Sequence, residues 1–115
     1  MIEKVYAINR GLDKRFPNGR NPFQIMTRLL EECGELAAEV NHFEDSGVKR
    51  QKHGEPKPKK LAKEVQDVIR SALQIATYYD VEAELEASIV ASYERMVEDR
   101  LIEREWKMDD TDATD

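Results

Sequence analysis

The sequence predicts an all-α protein, and three observations favour this class. Only 5 glycines and 4 prolines interrupt the 115 residues, too few for the many turns of an all-β fold. Ala, Leu, Glu, Lys and Arg fill long uninterrupted stretches, as in helical proteins. Apolar residues also recur at helical spacing in four segments. We therefore expect an antiparallel four-helix bundle-like domain over residues 1–108, followed by an acidic, disordered tail at 109–115.

The first two helices have clear boundaries in the sequence. Helix one is predicted over residues 2–15, with its apolar positions spaced for one buried face, and the Phe-Pro-Asn-Gly turn at 16–19 stops it. Helix two begins with Asn21 as the N-cap and Pro22 at the first helical position, where the missing N–H costs nothing. Its apolar rhythm fades after His42, and Gly47 is expected to end it.

The other two helices follow one long connection. Residues 47–58 are basic and contain helix-breaking Gly and Pro, and a loop of this length is usually either functional or disordered. It would be a mobile lid over a substrate or a solvated loop. Helix three is predicted over 59–79, and helix four from Glu82 towards Trp106.

The bulk properties exclude several classes of function. A net charge of −6 argues against general nucleic-acid binding. No apolar run approaches the roughly 20 residues that span a bilayer. The first residues lack the pattern of a signal peptide. The single Cys33 excludes an internal disulfide and fits a reducing compartment. We expect a cytoplasmic protein without membrane or nucleic-acid partners.

Acidic residues lie at the edge of the predicted apolar face of helix two. On a wheel of about 100° per residue, this face is centred near Cys33, which we expect to be a small core residue. Glu32 lies at the edge of the face, and Glu35 lies just beyond it. Glu31 is further round but only one turn from Glu35.

Helix three repeats the arrangement. Val65 and Ala72 mark the centre of its predicted apolar face, Glu64 lies at the edge, and Asp67 lies one turn along in the same direction. When the two apolar faces pack together, the acidic edges are expected to converge beside the core. Such convergence is electrostatically unfavourable, and a divalent cation such as Mg²⁺, which prefers oxygen ligands, would relieve it.

An ordinary solvated acidic surface without a metal ion is equally compatible with this pattern alone. Glutamate is a strong helix former, and 24 acidic residues make chance pairs at i,i+3 common. Basic neighbours, namely Arg28, Lys60 and Lys63, would then neutralise the acids as ordinary surface pairs worth little. Periodicity therefore leaves a solvated acidic face and a metal site open.

The acidic residues also resemble a family signature. Glu31-Glu32-Cys33-Gly34-Glu35 reads E-E-x-x-E, and Glu64-Val65-Gln66-Asp67 reads E-x-x-D on the next helix. Together they resemble the two motifs of the MazG-like nucleoside triphosphate pyrophosphohydrolases, over roughly residues 23–97. The resemblance implies an Mg²⁺-dependent enzyme (Mn²⁺ as a possible substitute) that cleaves (d)NTPs between the α- and β-phosphates, giving (d)NMP and pyrophosphate, as in nucleotide-pool housecleaning.

The resemblance also assigns roles to individual residues. Glu32, Glu35, Glu64 and Asp67 would be the metal ligands, and Glu31 would orient or deprotonate the attacking water. It implies an oligomer of helical bundles as well. Because a small core gains by pairing, we expect a homodimer or a dimer of dimers.

The last helix departs from the family pattern. Relatives often have an Asn and a Lys there that contact the substrate phosphates, whereas this chain reads Ala91-Ser92-Tyr93-Glu94-Arg95. Candidate replacements are Lys60 and Arg95, with Arg100 as a third. A dUTPase-like enzyme, a phosphoribosyl-ATP hydrolase of the same superfamily and a non-enzymatic helical oligomerisation module remain alternatives.

Overall fold

The computed structural model describes residues 1–45 and 54–107. Within these residues it contains four α-helices and no strand, which confirms the all-α prediction. The helices are α1 (Ile2–Arg15), α2 (Pro22–Phe43), α3 (Pro58–Tyr78) and α4 (Glu82–Glu98). Most of the predicted basic loop, including Gly47, and the predicted tail at 109–115 lie outside the described residues. None of the described helices combines the length and the apolar character that crossing a membrane requires.

The predicted start of α2 is confirmed. The Asn21 side chain accepts a hydrogen bond from the Gln24 backbone N–H at 2.9 Å, and the Gln24 side chain accepts one from the Asn21 N–H at 3.3 Å. This reciprocal capping box satisfies two N–H groups that a helix end leaves open. Gly19, with φ of 83°, supplies the left-handed residue in the turn between α1 and α2.

The chain divides into two compact units, Met1–Tyr79 and Asp80–Asp115. In the first unit, α2 and α1 both pack against α3. The pairing of residues shows that α2 and α3 are antiparallel. Glu39 near the end of α2 pairs with Lys60 at the start of α3, whereas Glu32, earlier in α2, lies beside Asp67, later in α3.

The core of the first unit is small and mixed in character. Its buried apolar side chains are Ile25, Leu73 and Ala76. Five polar side chains are buried with them: Asn9, Glu39, His42, Ser71 and Gln74. Asn9 explains how α1 is held, because its Nδ2 donates a hydrogen bond to the backbone carbonyl of Arg70 on α3 at 3.0 Å. The expected apolar face of α1 is only partly buried, since Ile8 is exposed.

The apolar centres predicted for α2 and α3 are wrong. Cys33 is exposed, and so are Val65 and Ala72. The face of α2 that packs on α3 instead runs through Ile25, Glu32 and Glu39, about 100° around the helix from the predicted centre. The packed faces thus include the acidic edges themselves, and much of the apolar surface lies outside the contact.

The helix of the second unit is shorter than expected. Instead of continuing towards Trp106, α4 ends at Glu98, where Arg100 adopts φ of 59°. The Leu101 N–H donates to the Met96 carbonyl at 3.0 Å, and the Arg100 N–H donates to the Val97 carbonyl at 3.0 Å. These two bonds form a Schellman motif, which satisfies the last carbonyls of the helix and ends it without glycine.

The segment after α4 folds back on that helix. The Tyr93 hydroxyl accepts a hydrogen bond from the Trp106 N–H at 3.1 Å, and the two rings meet edge to face with centroids 5.4 Å apart. Arg104 forms an ion pair with Glu94, and this contact lowers the pKa of the Glu94 carboxyl. Trp106 therefore packs within its own unit.

Candidate metal centre

Three acidic side chains converge where α2 packs on α3. Glu32, Glu64 and Asp67 each offer one carboxylate oxygen, and these oxygens lie within 4.8 Å of one another. Each side chain is half-buried. Because Glu64 and Asp67 are three residues apart on one helix, they share a face, and the antiparallel packing brings Glu32 opposite both.

The grouping changes the acidity of one member. Burial raises the pKa of Glu32, and repulsion from the carboxylates of Asp67 and Glu64 raises it further. Arg70 opposes this rise, and Glu35 adds to it. The ionised form of Glu32 is therefore disfavoured, and a proton or a cation bound between the carboxylates would relieve the repulsion.

Two basic residues lie against Asp67. The Nζ of Lys63 is 2.7 Å from Oδ1 of Asp67, and the Nε of Arg70 is 3.8 Å from the same oxygen. Lys63 is mostly exposed, so this part of the ion pairing is worth little. The predicted surface pairing is thus found for Lys63, and it coexists with the clustering of the three acids.

The other two acids of the first motif lie differently. Glu35 and Glu31 are both exposed, and neither belongs to the group of three oxygens. Glu35 is close enough to influence Glu32 electrostatically. A role for Glu35 as a ligand, or for Glu31 in orienting water, stays a prediction.

Lys60 contacts a buried carboxylate. Its Nζ is 3.8 Å from Oε2 of Glu39, whose side chain is only 1% exposed. Nδ1 of His42 lies 4.0 Å from Oε1 of Glu39, and Nε2 of the same ring is hydrogen-bonded to the Gly54 carbonyl at 2.7 Å. Lys60 therefore has a structural partner, and its predicted contact with substrate is untested.

The candidates on the last helix belong to the second unit. Arg95 is exposed on α4, and Arg100 is the exposed left-handed residue that follows the helix. Their predicted roles in binding phosphate stay predictions.

Sequence reasoning missed a second group of charged residues in the first unit. Arg20, Arg28 and Arg70 line one cavity together with the buried Gln74. Arg20 precedes Arg28 by eight residues, whereas Arg70 lies 42 residues after Arg28, and the three belong to different elements. No local pattern in the sequence therefore predicts that they line one cavity. The only available signal is that Arg28 and Arg70 lie one turn from Glu32 and Asp67, respectively.

Comparison of the chain with protein-family models, with curated proteins and with solved structures gave no match. The acid cluster and its surroundings are therefore the features from which a function can be inferred.

Proposed function

We propose that this protein is an Mg²⁺-dependent nucleotide pyrophosphohydrolase, cleaving (d)NTPs between the α- and β-phosphates. The observation that carries the proposal is the convergence of Glu32, Glu64 and Asp67 from two helices. These residues are three of the four acids that the resemblance to MazG-like enzymes assigns to the metal.

The donor set fits a hard divalent cation. Mg²⁺ binds oxygens at about 2.0–2.1 Å, so neighbouring ligands in its octahedron are about 3 Å apart. The three oxygens lie within 4.8 Å of one another, so side-chain shifts of about 1–2 Å would bring them to ligand spacing. Half-buried carboxylates on two rigid helices also leave room for phosphate oxygens.

In this proposal the acidic residues have separate roles in binding the cation and in orienting water. Glu32, Glu64 and Asp67 bind the cation, with Glu35 as the fourth proposed ligand, and Glu31 orients the attacking water. A bound cation lowers the pKa of water and neutralises charge that develops on the phosphates. Lys63 and Arg70, already beside Asp67, hold positive charge next to the site.

A substrate panel tests this proposal. Purified protein is incubated with canonical and non-canonical NTPs and dNTPs plus Mg²⁺, and pyrophosphate and monophosphate are quantified. We expect equimolar release of the two products from at least one nucleotide, and more than a hundredfold loss in Glu64→Gln. The control is Glu86→Gln, which removes an exposed acid of α4. No release from any nucleotide by folded protein would contradict the proposal. The panel should include dUTP, dUDP and phosphoribosyl-ATP, because the related enzymes use them.

The exposed apolar surface supports the oligomeric part of the proposal. One stripe of α2 carries large apolar side chains that remain exposed: Phe23, Met26, Leu30 and Val40. Val65 and Ile69 extend the exposed apolar surface on α3. Since the buried core of the unit is small, pairing these stripes in a homodimer would bury apolar area that the chain alone leaves in water.

The same stripe favours a second candidate, a helical oligomerisation module without enzymatic activity. In that case the acids would be surface groups paired with residues such as Lys63. Calorimetric titration with Mn²⁺ separates the two candidates, because only the enzyme requires cation binding that Glu64→Gln abolishes.

A further inference from the structure

A cavity lined by arginines lies in the first unit, beside the acid cluster. Its volume is about 240 Å³, and its lining includes Arg20, Arg28 and Arg70 with a single carboxylate, that of Asp13. Oδ2 of Asp13 lies 3.8 Å from Nη1 of Arg20. The lining therefore carries net positive charge in a chain whose overall charge is −6. Leu12 and Phe16 contribute apolar walls.

One residue of the cavity lining is a buried polar side chain. Gln74 is 9% exposed, and its Oε1 has no hydrogen-bond partner within the part of the chain that the structure describes. A buried acceptor without a donor is costly, and native proteins usually satisfy such groups.

The arginines are positioned by different elements of the fold. Arg28 belongs to α2 and Arg70 to α3, whereas Arg20 lies in the turn before α2, where its Nε donates to the Pro17 carbonyl at 3.2 Å. A Cβ at Gly19 would lie 3.3 Å from Nη1 of Arg28, and Gly19 itself has a positive φ. The glycine thus lets the turn close tightly over the guanidinium of Arg28.

The cavity adjoins the acid cluster along both helices. Arg28 precedes Glu32 by four residues, and Arg70 follows Asp67 by three. Because α2 and α3 are antiparallel, both steps lead towards the same end of the helix pair, by about 5 Å. The contact of 3.8 Å between Arg70 and Asp67 joins the two sites directly.

We infer that this cavity is a phosphate-binding subsite that takes the leaving pyrophosphate of a nucleotide while the acid cluster holds the scissile end. Guanidinium groups bind phosphate oxygens in pairs, and three of them match a group with several anionic oxygens. At about 30 Å³ per water molecule, 240 Å³ suits a small polyanion and is below the usual range for a whole drug-sized ligand. The identity of the ligand rests on the proposed function, whereas anion binding at the arginines does not.

The test is calorimetric titration with inorganic pyrophosphate in a chelating buffer without divalent cations. We expect the native chain to bind pyrophosphate, more weakly at high salt, and Glu64→Gln to bind it at least as tightly. Arg28→Gln should weaken binding tenfold or more, because hydrogen bonds to charged groups are strong. Arg20→Gln, at an exposed residue of a turn, provides a second variant that leaves both helices intact. The matched control is Arg10→Gln, an exposed arginine of α1 outside the cavity lining.

Each outcome decides the inference separately from the proposed function. Absence of pyrophosphate binding, or binding that neither Arg28→Gln nor Arg20→Gln weakens, overturns the subsite even if nucleotides are hydrolysed. Displacement of pyrophosphate by phosphate-free nucleosides would also overturn it, since the cavity would then recognise the base or sugar. Arginine-dependent pyrophosphate binding without hydrolysis of any nucleotide would support the subsite and contradict the proposed hydrolase activity.

Discussion

The Nζ of Lys63 lies 2.7 Å from Oδ1 of Asp67, within the cluster that also contains Glu32 and Glu64. The ammonium group partly neutralises the carboxylates and stands where a divalent cation would have to compete with it. The strength of this competition is measurable, since Lys63 is exposed and a substitution there should leave the helix intact.

Lys63→Gln is expected to tighten Mn²⁺ binding up to about fivefold. Exposed ion pairs contribute about 0.2–1 kcal/mol. A cation that binds Asp67 must break this pair, so removing the ammonium group makes the free energy of cation binding more favourable by the same amount. Calorimetric titration measures the change, with Lys59→Gln, another exposed lysine of α3, as the matched control. Equal affinities in the two variants would show that Lys63 does not oppose cation binding.

Glu32→Gln is expected to stabilise the metal-free protein at neutral pH. Because the pKa of Glu32 is raised in the folded state, folding favours the protonated carboxyl. Its contribution to stability is present at low pH and is lost as pH rises through the folded pKa. The amide cannot ionise, so the variant should gain a few tenths of a kcal/mol above that pKa and nothing below the unfolded pKa.

Denaturant unfolding in a chelating buffer at several pH values tests this prediction, using the difference between the two proteins at each pH. With saturating Mg²⁺ the order should reverse, because only the native site gains stability from the bound cation. A variant that is less stable at neutral pH without metal would contradict the raised pKa.

Lys60→Met is expected to lower the melting temperature by about 2–8 °C. The substitution removes the ammonium group that lies 3.8 Å from the buried Glu39 carboxylate. An ion pair with one exposed partner contributes about 0.5–1 kcal/mol to the free energy of unfolding. In a domain of this size, 1 kcal/mol corresponds to about 4–8 °C in melting temperature. Thermal unfolding measures the loss, with Lys59→Met as the control. An unchanged melting temperature combined with a raised KM for nucleotide would assign Lys60 to the substrate instead.

Leu30→Glu is expected to convert the proposed dimer into monomers. Leu30 is 66% exposed in the centre of the apolar stripe of α2, and a buried unpaired carboxylate at an interface is strongly unfavourable. Light scattering coupled to size exclusion gives the mass. The control, Thr27→Glu, adds the same charge to the same helix outside the stripe. A native chain that is already monomeric at high concentration would contradict the oligomer.

The sequence by itself determined where the helices of the first unit lie and which residues give that unit its acidic character. Asn21, Pro22 and Gln24 specify the start of α2 through local hydrogen bonds and fixed backbone geometry, so they can be recognised without the fold. The spacing of Glu64 and Asp67 likewise places them on one helical face whatever packs there. Local interactions decide these features because the partners are within one helical turn.

Only the tertiary structure decided which helix faces pack together. Apolar periodicity pointed to Cys33, Val65 and Ala72 as buried centres, but the faces that meet contain Glu32, Glu39 and Ser71. A helix with apolar residues on more than one side can bury either side, and the wheel does not reveal which side a second helix covers. The arginine cavity also could not be predicted from the sequence. It is lined by residues of a turn and of two antiparallel helices, and their proximity depends on that packing.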